Sequence, residues 1–172
     1  MLTRLCEQEM TPTLSLFYER YQAIVQVQVA QPGNRGPHLA FFEMNEARAE
    51  IQQLATLKEN WDGYGAIPIQ KTTMRNAVAA VDQVLLFAPA PADIAPNPNG
   101  TVSLEWQSDF GRAQLEIGET RCSFFIDRRG GTSFFWDGSA TEVASQIGIL
   151  ISSSLFPPPP AAPATTSIGV DV

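Results

Sequence analysis

Thr101-Val102-Ser103-Leu104-Glu105-Trp106 alternates polar and apolar residues with period two, and it opens a series of such runs. Successive side chains of a strand point to opposite faces, so a run of this kind buries one face and wets the other. After a turn at Ser108 to Gly111 the pattern resumes, with Ala113, Leu115 and Ile117 set between Arg112, Gln114 and Glu116. Cys122, Phe124 and Ile126 continue it, Gly130-Gly131 turns the chain, and Phe134 and Trp136 supply a fourth run. Connections this short join antiparallel neighbours, and residues 101–136 read as a four-stranded antiparallel meander with one buried face.

The flanking segments are helical. Upstream, Asn99-Gly100 suits a turn that needs positive φ, and the segment from Pro89 to Pro98, with four prolines, reads as an irregular connection. Before it, Met74, Ala77, Val78, Val81, Val84 and Leu85 share one face of a helix starting around Thr72 or Thr73. Earlier still, Ala47, Ile51, Leu54 and Ala55 follow Asn45, a good N-cap, and predict a helix ending near Glu59. Downstream, Ser139-Ala140-Thr141-Glu142 matches a capping box and predicts a last helix through Val143, Ile147, Leu150 and Ile151.

Two ends frame this body. Residues 13–30 fit helical spacing at Leu14, Phe17, Tyr18, Tyr21 and Ile24 but alternate as a strand at Val25, Val27 and Val29. Gln31 to Pro37 breaks any regular element, and Pro157 to Pro160 with the Ala/Thr/Ser-rich remainder reads as an extended tail, a linker or a polyproline II ligand. The organisation expected is an N-terminal extension over 1–37, a single α+β domain over 38–156 and a tail over 157–172. Its fold is two helices, the meander and a C-terminal helix, with the N-terminal segment able to add a strand.

Composition excludes several functions. An apolar share of 44% and a charged share of 17% are those of an ordinary globular chain. A net charge of −7, spread without a block, opposes attraction to phosphates, so nucleic acid is not the expected partner. Cys6 and Cys122 form no CxxC pattern, which fits a reducing cytoplasm, and no apolar run is long enough to span a membrane. One histidine, His38, in an expected loop, and two dispersed cysteines give no recognisable metal, cofactor or nucleophile motif.

The densest motif is Asn60-Trp61-Asp62-Gly63-Tyr64-Gly65-Ala66. Two readings stand. In the structural one a glycine terminates the first helix, Trp61 packs beneath the helix pair and Asp62 bonds amides of the turn. In the functional one Trp61, Asp62 and Tyr64 form an exposed anchor for another protein, since aromatics on a rigid turn make effective hot spots. They are compatible if Trp61 is buried and Tyr64 exposed.

Here the chain resembles a family of small, largely uncharacterised bacterial proteins, in which a helix ends in a near-identical Asn-Trp-Asp-Gly-Tyr-Gly-Ala motif. A second helix, a proline-rich segment and a strand similar to Gly100–Trp106 follow in that family. The resemblance covers roughly residues 45–127 and brings no established activity. It implies a bacterial or phage origin and an accessory role in a mobile-element, defence or toxin–antitoxin setting.

Other residues could carry function. Glu105 and Glu116 share the outer sheet face, where paired carboxylates could serve acid/base chemistry or simply solvate the sheet. With Asp62 they are the residues of an alternative reading as a small hydrolase. Phe125 and Phe135 fall on the nominally wet face and mark either an interface or a surface covered by the N-terminal segment. The expected function is non-enzymatic: a protein-binding, accessory or inhibitor-like module acting through Trp61, Asp62 and Tyr64, through Phe125 and Phe135, or through both. Self-association through the Phe face is a further alternative.

Overall fold

A computed structural model describes residues 37–88, 93–143 and 145–157. Its elements in chain order are α1 (Pro37–Leu54), α2 (Lys71–Val84), β1 (Asp93–Pro96), β2 (Val102–Ser108), β3 (Gly111–Ile117), β4 (Arg121–Arg128), β5 (Phe134–Ser139) and α3 (Ser145–Leu155). The strands form one antiparallel sheet in the order β1-β2-β3-β4-β5, which makes the architecture α+β.

The register converts the alternation into two unlike faces. Ile94, Leu104, Leu115, Phe124 and Trp136 lie opposite one another in a row across all the strands, with Trp106, Ala113, Ile126 and Phe134 in the next row. These rows and the buried Val102, Ile117 and Cys122 form the core face. The row one residue away, Asp93, Glu105, Gln114, Phe125 and Phe135, points the other way. Helices α2 and α3 pack against the core face, with α1 against α2 and β1. Ile51, Val81, Val84, Ile147, Ile151 and Leu155 are the larger side chains on the helical side of the core. The helices approach closely at Gly148, where a Cβ would collide with the Val84 carbonyl oxygen, so only glycine lets α3 lie this near α2.

The meander has a fifth strand. It comes from the proline-rich segment, expected to be irregular: Asp93 to Pro96 pairs with Glu105 to Val102. Proline has no amide to donate, yet Pro96 is tolerated because β1 is an edge strand and Pro96 is its last residue. The N-terminal segment proposed from the sequence as a possible extra strand lies outside the described residues, as do Cys6 and the tail beyond Pro157.

Helix boundaries also differ from the sequence reading. Pro37–Leu54 is helical, so His38 lies in α1 rather than in a loop, and Asn45 is interior, accepting Arg48 Nη1 at 3.2 Å instead of capping. Pro37, expected to break a regular element, is the first described residue and is already helical. The helix stops at Leu54 because the amides of Ala55, Thr56 and Leu57 bond carbonyls three residues back, tightening the last turn. At the far end the capping box does not form: Ser139 is the last residue of β5, paired with Arg121, and α3 starts at Ser145.

Two polar contacts lock the layers. Arg48 reaches from α1 to Asp82 on α2, with Nε and Nη2 at 2.8 and 2.7 Å from Oδ1. The buried Asn76 of α2 donates from Nδ2 to the carbonyls of Gly118 and Glu119, at 3.1 and 3.0 Å, and so pins the β3–β4 turn to the helix. Among the described residues no helix is long and apolar enough to cross a membrane.

Candidate functional site

The loop after α1 is built from its own amides. Asn60 takes a left-handed conformation at φ 61°, and Gly63 and Gly65 sit at φ 78° and 95°, a region open to asparagine and glycine at small cost. Asn60 exchanges with both ends of the turn: its amide donates to the Ala66 carbonyl at 2.7 Å, its carbonyl accepts the Gly63 amide at 3.0 Å, and its Oδ1 accepts the Gly65 amide at 2.8 Å. Asp62 Oδ1 accepts the amides of Tyr64 at 2.8 Å and Ala66 at 3.0 Å. These amides favour the charged carboxylate and hold it below the ordinary aspartate range, Tyr64 contributing most and Ala66 next. The loop is anchored to the β1–β2 connection where Ile67 donates its amide to the Pro98 carbonyl at 3.0 Å.

This geometry separates the motif's residues. Ala66 and Ile69 enter the buried set, and Tyr64 projects into solvent at 94% exposure. Trp61 is half-buried, and its indole nitrogen, out of reach of solvent, has no hydrogen-bond partner among the described residues. The glycines shape the loop rather than terminate α1, which has already ended at Leu54.

The second group lies on the outer sheet face. The buried side chains of the helices cluster with Leu104, Leu115 and Phe124 on the opposite face. Phe135 is 61% exposed and stands opposite the half-buried Phe125. The Arg112 guanidinium lies over the Phe125 ring at 5.8 Å, a cation–π arrangement, with Asp127 Oδ2 4.0 Å from its Nε. Asp93, Glu105, Gln107, Arg112, Gln114 and Phe125 line a depression of about 300 Å³ on this face.

The carboxylates named for catalysis have different surroundings. Glu105 is exposed opposite Gln114, while Glu116, two residues along the neighbouring strand, accepts Thr101 Oγ1 at 2.6 Å and Asn99 Nδ2 at 3.1 Å. Glu116 thus braces the turn before β2. Among the described residues no hydrogen bond or ion pair joins Asp62 to either glutamate, and no group of three His, Cys, Asp or Glu side chains is placed to hold a metal.

Ser103 was legible only as an outward residue, yet it is fully buried: its Oγ receives Asn97 Nδ2 at 2.9 Å and Gln114 Nε2 at 3.0 Å. Alternation gave its face correctly, and nothing in the pattern signalled that Asn97 and Gln114 would close over it. No protein-family model, curated protein or solved structure matches this chain.

Proposed function

We propose that this protein is a non-enzymatic interaction module that binds another protein through the Tyr64 loop and the Phe125/Phe135 face. The observation that carries the reading is Tyr64: a large amphipathic side chain held in solvent by a loop whose amides at Asn60, Gly63, Tyr64, Gly65 and Ala66 are all bonded within the loop. Such an anchor loses little backbone freedom on binding, which is the condition under which an exposed aromatic becomes a hot spot. Asp62 acts as the turn's acceptor and Trp61 as its half-buried base. The accessory role in a bacterial or phage setting implied by the motif is compatible with such a module.

Affinity capture from the native host with the intact chain, Tyr64→Ala and Phe135→Ala tests the reading. The expected result is a stoichiometric protein retained by the intact chain and lost with either variant while circular dichroism stays unchanged. Equal capture by all three folded proteins would reject it.

A further inference from the structure

Outer-face carboxylates at Asp93, Glu105, Glu116, Asp127 and Asp137 outnumber the guanidiniums of Arg112 and Arg121. The charge is unevenly placed along the row that crosses the sheet. One end is aromatic, with Phe135 and Phe125; Gln114 lies in the middle; Glu105 and Asp93, both exposed, form the other end. We infer that this face docks a cationic amphipathic helix of a partner protein, its apolar residues on the exposed Phe135 beside Phe125, whose ring the Arg112 guanidinium overlies, and its Lys or Arg side chains against Glu105 and Asp93. The inference rests on the interaction reading above and gives the partner its chemistry.

A helix fits the face better than an extended peptide. The ladders use the backbone groups of β2, β3 and β4, so the face offers side chains only, and an extended occupant would cover its own amides without partners. A helix satisfies its amides internally. Five strands at the usual spacing make a row about 19 Å long. That length is about 13 helical residues, enough to separate an apolar anchor from a basic one by two to three turns.

Charge also decides between occupants. A second copy would bring the same acidic excess to the same face, and like charges across an interface oppose association. Nor do the chain's undescribed ends match: residues 1–36 carry Arg4, Arg20 and Arg35 against Glu7, Glu9 and Glu19, and residues 158–172 carry Asp171 alone. A cationic partner answers both halves of the row.

A display library of randomised helical peptides, selected on the full-length protein, tests this directly. Winners are then measured against Phe135→Ser and an Asp93→Lys, Glu105→Lys pair, each shown to be folded, at low and physiological ionic strength. The expected peptides combine an apolar cluster with Lys or Arg two to three turns away, and lose about tenfold or more in affinity with either variant and on adding salt. Peptides that need Phe135 but carry no basic residues and ignore the charge reversal would overturn the cationic partner while leaving the interaction module standing. No peptide dependent on this face would overturn both for this surface. A dimer in sedimentation, dissolved by Phe135→Ser, would identify a second copy as the occupant and overturn the inference.

Discussion

Asp62 Oδ1 and the Ala66 amide are 3.0 Å apart, and the same oxygen holds Tyr64 at 2.8 Å, so one carboxylate closes the loop that presents the exposed tyrosine. Both bonds favour the ionised form. The folded pKa therefore lies below the unfolded one, and the stabilisation is complete above the ordinary aspartate value and lost as pH falls through the folded value. Carboxyl-detected NMR should show Asp62 titrating below the usual range, with the Tyr64 and Ala66 amide shifts moving at the same midpoint. Asp62→Asn should abolish that coupled transition. A midpoint at or above the ordinary value would mean the bonds are not formed in solution.

Asn76 supports a prediction about stability. Its Nδ2 serves two carbonyls in a buried position, so Asn76→Ala should lower unfolding free energy by about 1–3 kcal/mol in urea melts. Asn76→Asp should cost more at neutral pH, because a carboxylate would face the Gly118 and Glu119 carbonyls, and should recover in part on acidification. Equal stability of wild type and both variants would show that the β3–β4 turn does not depend on this clamp.

Cys122 should be a poor nucleophile. Burial pushes its thiol up from the ordinary value and the nearby Asp137 carboxylate adds to the rise, while Sγ lies 3.2 Å from the Ser139 carbonyl, to which it donates. Since the folded pKa is raised, the protonated thiol's contribution to stability is present below the unfolded thiol pKa and lost as pH rises toward the folded one. Iodoacetamide at neutral pH should modify Cys122 in the native protein far more slowly than in urea, as read by peptide mass spectrometry. Equal rates in the two states would contradict the buried position.

These sites show which parts of the fold the sequence carried openly. Alternation from Val102 to Trp136 placed the core face residue by residue, because a period of two leaves no choice of side once one residue is buried. Pro96 hid β1, since nothing local distinguishes a proline at a strand edge from one in a loop. Ser139 hid the start of α3: its residue type suits a helix cap, but pairing with Arg121 claimed its backbone for the sheet. An aspartate followed by glycines makes Asp62 legible as an acceptor of turn amides, which is what it does for Tyr64 and Ala66, and alternation places Phe135 on the outer face. The Asn60 side chain's bond to Gly65 and the closure of Asn97 and Gln114 over Ser103 depend on three-dimensional proximity that spacing does not encode.

The contrast between Phe124 and Phe135 tests the division of the sheet into a core face and a binding face. Phe124 is fully buried among the core residues, with its ring centroid 6.4 Å from that of Phe134, so Phe124→Ala removes both apolar burial and packing. Such a truncation costs about 3–5 kcal/mol, enough to unfold a substantial part of a marginally stable domain. Phe135 stands one strand over and one residue out of phase, 61% exposed, so Phe135→Ala leaves no cavity and should change stability by about 0.5 kcal/mol or less. If the outer face binds a partner, the order reverses in a binding experiment: Phe135→Ala is the damaging change, by more than about 1 kcal/mol, in a protein as stable as wild type. Urea denaturation and partner titration on the same preparations read both quantities. A Phe135→Ala variant as unstable as Phe124→Ala would mean that this ring is covered within the molecule itself, and the outer face would then belong to the fold and not to a partner.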